Sequence, residues 1–255
     1  MSAALTLWGK HMTKLRRHGE EAFGLLLQPI LWVILFGVGM QAVMGAGYVT
    51  FMVPGIITLS ALSGSIAGGS TLLDERLRGI VKEYLVSPIP RLSILLGNAL
   101  STVSKGLLQS FVILLIGMLM GASLRLNPLG WIGGLYLVTG YAMGFAGIAL
   151  GVASVTNSVG GYHALIFIFN LPMLFASNAL FPLVRLSENA AVLEIAARIN
   201  PTSYVVDGLR QMVFQDAYFI PTDQRLPLWL CFVVVSAFAA FGIWFAMRMF
   251  NRSVQ

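Results

Sequence analysis

Hydrophobic positions along this chain come in long runs separated by short polar stretches. A helix that crosses a bilayer needs about 20 mostly apolar residues. Six runs have that length, near residues 24–44, 51–72, 99–121, 129–154, 160–181 and 227–249. They predict an all-α polytopic membrane protein with six transmembrane helices, a single domain over residues 1–255. Lys105 interrupts the start of the third run, and its ammonium can snorkel to the headgroups.

Two polar stretches keep a helical period. From Leu5 to His18, Leu5, Trp8, Met12 and Leu15 share one face, and Lys10, Lys14 and Arg17 the opposite one. Residues 1–22 therefore read as an amphipathic helix lying on the membrane surface. The stretch Asp74–Asn98 crowds Asp74, Glu75, Arg76, Arg78, Lys82, Glu83 and Arg91 between two spans. A continuous helix over Glu75–Val86 would line up Leu77, Ile80, Val81, Tyr84 and Leu85, and Ser87-Pro88-Ile89-Pro90 would stop it. A short helix tied at both ends to spans is either a handle for a soluble partner or an ordinary interfacial helix.

Composition agrees with the pattern. Only 10% of residues are charged and the mean hydropathy is +0.83, against roughly a quarter charged in soluble domains. The net charge of +6 sits beside the spans, where it encodes topology rather than nucleic-acid binding. With the N-terminus cytoplasmic, eleven of the 16 Lys and Arg lie inside and five outside. That bias puts both termini in the cytoplasm, with Trp131, Tyr218 and Trp229 as anchors at the outer interface. A bacterial inner membrane is the expected location. Cys231 reads as a small hydrophobe, and one cysteine excludes an internal disulfide or a cysteine metal cluster.

The spans hold no Asp or Glu, which argues against proton- or sodium-coupled transport. His11, His18 and His163 build no catalytic set, so an intramembrane enzyme is excluded and no metal site is expected. No G-x-x-x-x-G-K-[ST] occurs to cradle nucleotide phosphates, so the chain is not read as an enzyme and must borrow its energy. Gly64 and Gly68, then Gly140, Gly144, Gly147 and Gly151, suit close helix packing, chiefly within one chain. Asn170 and Ser177 share a face of the fifth run with Asn178 adjacent, and line a path or bond across a dimer seam. Pro29 beside Gln28, Pro54 beside Gly55 and Pro172 mark kinks, and the first two pairs are also candidates for a pathway or dimer seam. Between the last two spans, Asn200 caps a helix begun by Pro201, on which Asp207 and Arg210 are spaced to pair.

"FMVPGIITLS" (Phe51–Ser60), "DERLRGIVKEYLVSPIPR" (Asp74–Arg91) with "LLGNAL" (Leu95–Leu100), and "NPTSYVVDGLR" (Asn200–Arg210) occur in that order. The ordered set resembles the ABC-2 type permeases, membrane subunits of ATP-binding-cassette exporters, in their daunorubicin- and nodulation-factor-exporter branch. The resemblance implies a coupling helix in the loop 73–92 that docks on the ATPase. It maps onto Asp74, Glu75, Arg76, Gly79, Glu83, Pro88, Pro90 and Arg91. It implies a second ATPase contact at the surface helix, through Trp8, Lys14 and Arg17. It also implies short helices dipping into the outer leaflet within 183–226, here with Pro201, Asp207 and Arg210. Two permease chains, as homo- or heterodimer, would work with two ATPase subunits that carry the ATP and Mg; this chain would bind no cofactor. The cargo expected is hydrophobic or amphipathic, drug-like or lipid-like. A lipid-linked glycan is the alternative, though the N-terminus lacks the aromatic cluster that such exporters often show.

Overall fold

A computed structural model describes residues 2–45, 47–86, 89–180, 191–215 and 225–253. Among them every regular element is a helix. In order these are α1 (Ser2–Arg17), α2 (Gly19–Met44), α3 (Tyr48–Leu77), α4 (Ile80–Val86) and α5 (Arg91–Leu119). Then come α6 (Pro128–Val155), α7 (Val159–Phe175), α8 (Ala191–Ile199), α9 (Pro201–Met212) and α10 (Leu228–Ser253).

Five helices are long and apolar enough to cross a membrane: α2, α3, α5, α6 and α10. The expected span over 160–181 is shorter than its apolar run. Helix α7 stops at Phe175, 17 residues long, and Ser177–Leu180 turns inward and is buried. Ser177 and Asn178 therefore leave the helix face that they were expected to share with Asn170.

Helix α3 is the axis of the molecule. Most of its membrane stretch is covered, by α5, α6, α2, α7 and α9, whereas little of α2 is. Small residues make the close contacts. A Cβ on Gly68 would collide with Thr102 of α5, and one on Gly147 with the backbone of Gly242 in α10. Both glycine series are thus used inside the chain, where shape fit holds helices together in lipid.

Cap chemistry sets the ends. Asn127 accepts from Leu129 N (3.2 Å) ahead of Pro128 at the start of α6. Ser158 does the same for α7 through Gly161 N (3.1 Å). Asn200 caps α9 through Thr202 N (2.9 Å), with Pro201 in its first turn, as its sequence predicts. On the face away from the N-terminus, the loop before α6 is pinned to the end of α9. Arg125 N donates to Val213 O (2.8 Å) and Gln215 N to Ser123 O (3.0 Å).

Candidate functional site

The charged stretch is two helices, not one. Helix α3 runs on to Leu77, and Gly79, at φ +81°, turns the chain into α4. That backbone state suits glycine. Leu77 consequently faces outward, while Val81 is buried and Tyr84 half-buried. Pro88 lies outside the described residues, as does Ser87.

Two of the charges at the root of this loop point inward. Glu75 is buried, and its Oε1 accepts from Lys10 Nζ of α1 at 2.7 Å. The same ammonium donates to Tyr84 OH of α4 at 2.5 Å. Burial alone would depress the Lys10 pKa, but the bonds to Glu75 and Tyr84 outweigh it and the value is raised. Arg76 reaches the end of α6, donating to Thr156 O (2.8 Å), Ala153 O (3.3 Å) and Asn157 Oδ1 (3.5 Å). It satisfies carbonyls that a helix end leaves open.

The other charges project from the loop. Asp74 and Arg78 pair across one helical turn at 2.9 Å, both exposed. Lys82 and Glu83 are exposed, and so is Val86. Pro90 precedes α5, and the exposed Arg91 at its start donates to Asn251 Oδ1 of α10 at 3.4 Å.

Helix α1 packs on α5 through Ala4, Leu7, His11 and Leu15, and a Cβ on Gly97 would meet Leu7. This is a different face from the apolar one read in the sequence. Leu5 is exposed and Trp8 only partly covered, its Nε1 donating to Ser104 Oγ at 3.0 Å. Lys14 and Arg17 are exposed. Lys105 is buried rather than snorkelling. His11 is buried with no hydrogen-bond partner at Nε2, and Glu75 with none at Oε2. Burial lowers the His11 pKa; Glu75 opposes that, and Lys10, Lys105 and Lys14 reinforce it.

A second polar cluster sits at the opposite face, around α9. The Arg210 guanidinium is buried and lies 3.7 Å from the Phe51 ring centroid. It donates to Phe51 O (2.9 and 3.0 Å), Asn178 O (2.8 Å) and Ala179 O (3.3 Å). Asp207, spaced to pair with it, turns the other way. Its Oδ2 accepts from Leu226 N (2.6 Å) and Gln211 Nε2 (3.2 Å) and so fixes the approach to α10. Asn200 works in both directions, because its Nδ2 donates to Ala176 O (2.6 Å), Pro172 O and Met173 O (both 3.3 Å). It closes the end of α7. Ser177 donates to Leu174 O at 3.0 Å.

Between the two clusters, α2, α3 and α7 border a cavity of about 350 Å³. Trp32, Ile56, Leu59, Phe167 and Leu171 give it an apolar wall, and Gln28, Ser60, Ser63, Gln109 and Asn170 add polar points. Of the residues expected along a path or seam, Asn170 lines it, and so do Gln28 and Pro29, for which a path was the second expectation after a kink. Pro54 is buried in α3, and Ser177 and Asn178 belong to the Arg210 cluster. Gln109 was missed. Pro29 has no N–H to offer Leu25 O one turn back, and Gln109 Nε2 of α5 donates to that carbonyl at 2.6 Å. A proline four residues after the open carbonyl was the available signal; the donor's identity was not. Among the described residues no cluster of His, Cys, Asp or Glu could hold a metal.

Known proteins share this frame. "Putative transport permease ycf38" of Cyanophora paradoxa is 30% identical over 205 residues, 77% of this chain and 69% of the relative. Its namesakes in Porphyra purpurea and Pyropia yezoensis are each 29% identical, over 72% and 73% of this chain and 65% of their own length. The family profile for the ABC-2 type transporter matches residues 3–214, a stretch holding α1, the charged loop and the Arg210 cluster. The chain belongs to the ABC-2 type transporter family and is a transporter membrane subunit.

Proposed function

We propose that this subunit is driven by a separate ATPase that docks on the outward charges of the Asp74–Arg91 stretch, and that it exports a hydrophobic or amphipathic molecule. One observation carries the reading. Arg78, Lys82 and Glu83 project from a loop whose roots, Glu75 and Arg76, are tied to α1 and α6. A push on the exposed part would reach three helices through those ties. Glu75 and Arg76 then transmit the motion, while Glu83, with Lys14 and Arg17 of α1, meets the partner. ATP and Mg stay on that partner.

The cargo path in this reading is the cavity between α2, α3 and α7. Its wall suits an apolar body. The side-chain amides of Gln28 and Asn170 line it and have no other partner among the described residues. Such groups are costly in lipid unless cargo or a second chain answers them. A pair of permease chains meeting at α2 and α7 would close the path. Orientation follows the Lys and Arg bias, with both termini in the cytoplasm of a bacterium. Helices α8 and α9 would dip into the outer leaflet, with Val192, Ile195 and Ile199 of α8 exposed to it.

The test is co-purification of the detergent-solubilised chain with its candidate ATPase, wild type against Glu83→Arg. Charge reversal at an exposed contact should weaken association about tenfold or more, or uncouple ATP hydrolysis, with the fold unchanged. An unaffected complex would remove Glu83 from the interface. Absence of any ATPase from the wild-type preparation would leave the loop an interfacial helix.

A further inference from the structure

The N-terminal face carries a second feature, separate from the cavity between α2, α3 and α7. Helices α5 and α10 barely touch there, and a shallow apolar seam runs between them over α6. Leu92, Leu96, Met143, Gly147, Ile243 and Met247 line it. Asn251 lies one turn beyond Met247 and accepts from Arg91 at the seam's mouth. Arg248 stands beside it, its guanidinium 5.5 Å from the exposed Trp244 ring. Arg252 follows one turn later on the same face, and all three arginines are exposed. None of them pairs with a carboxylate among the described residues.

We propose that this seam binds an anionic phospholipid of the bilayer, with one acyl chain lying over the shallow apolar seam, whose cavity of about 10 Å³ does not enclose it, and the phosphate between Arg91 and the Arg248–Arg252 face. The chemistry is complementary at each level. The groove is apolar where a chain would lie. The cations cluster where a headgroup would sit, and the amphipathic Trp244 ring marks the boundary between the two. Arg91 and Arg248 are held by Asn251 and Trp244, so little side-chain freedom is lost when a phosphate arrives. Arginines that only encode topology need no groove beneath them and no such support. The site stands whether or not the ATPase reading of the loop holds.

The experiment is native mass spectrometry of the purified full chain in micelles with equimolar phosphatidylglycerol and phosphatidylcholine of the same acyl chains. Each arginine near a charged headgroup is worth roughly a factor of five. Retention of phosphatidylglycerol should exceed that of phosphatidylcholine by at least about fivefold. Arg91→Gln/Arg248→Gln/Arg252→Gln should bring the ratio to near one. Lys14→Gln/Arg16→Gln/Arg17→Gln removes the same charge from α1 and should leave it standing. Each of the three arginines is also changed singly, so a folding defect in the triple variant does not decide the result. Equal retention by the wild type, or a preference lost equally in the α1 variant, overturns the proposal and leaves only non-specific attraction. Displacement of phosphatidylglycerol by an equal concentration of free glycerol phosphate would also overturn it, because the groove would then hold no chain.

Discussion

Glu75 and Arg210 are both ionisable, both buried, and both at an end of the axial helix α3 or against it, and each leaves one polar atom unbonded, Oε2 and Nη1, yet they are held in different ways. Glu75 meets a charge, Lys10, that is itself half-exposed and belongs to α1. Arg210 is bonded to no carboxylate. It is held by main-chain oxygens of Phe51, Asn178 and Ala179 and by the Phe51 ring. An ion pair with one end in water is a weak and reversible link. A guanidinium fork on buried carbonyls is a weld, because the oxygens of Asn178 and Ala179, outside any helix, lose its bonds if the fork goes. The N-terminal face therefore joins elements that can part, and the opposite face fastens α3, the end of α7 and α9 together.

The largest test of that contrast is Arg210→Met. It keeps an apolar stem of similar length but leaves the carbonyls of Asn178 and Ala179, which lie outside a helix, without the guanidinium. Each uncompensated group costs about 1–3 kcal/mol, so the detergent-solubilised chain should lose roughly 2 kcal/mol or more. Arg210→Lys should fall between, since one ammonium cannot span the fork. Thermal melting followed by size-exclusion recovery reads both. A methionine variant as stable as wild type would mean that the cluster fastens nothing.

Gln109→Leu removes a single neutral donor from Leu25 O, beside the Pro29 kink in α2. Helix α2 is largely uncovered by the rest of the chain, so no other group stands ready to replace it. A loss of about 1–2 kcal/mol is expected, with faster hydrogen exchange confined to α2. Exchange that spreads into α3 and α9 would place Gln109 with the weld rather than with the looser elements.

What the sequence made legible follows the same divide. Five of the six apolar runs became long helices, because length and hydropathy are local properties. The Asn200–Pro201 start of α9 was readable for the same reason. The span over 160–181 was read too long, because what ends α7 after Phe175 is a side chain 24 residues away, Asn200. The break at Gly79 was hidden by a helical period that continues across it. The inward turn of Glu75 and Arg76 was hidden because their partners, Lys10 and Thr156, are 65 and 80 residues distant. In α1 the charged face was read correctly. The buried face was displaced, since Ala4 and His11 carry weak hydropathy signals and only α5 reveals them.

The smallest expected effect concerns His11, and it probes whether the α1 link parts reversibly. Burial holds its imidazole below the ordinary value of 6.5, so the seated helix carries a neutral His11. Between the folded value and 6.5 the unseated state binds more protons. The stability contributed is therefore complete above pH 6.5 and is lost as pH falls below it. At pH 5.5 the loss can reach at most about 1.4 kcal/mol, one unit of proton linkage. Acidification from pH 7.5 to 5.5 should then speed hydrogen exchange in α1 while α9, fastened by Arg210, keeps its protection. His11→Gln, polar but without a titration, should flatten that response. If α1 exchanges at one rate across the range, the inner link is governed by Lys10 alone; if it slows in acid, Glu75 draws a protonated imidazole closer and His11 strengthens the link instead of loosening it.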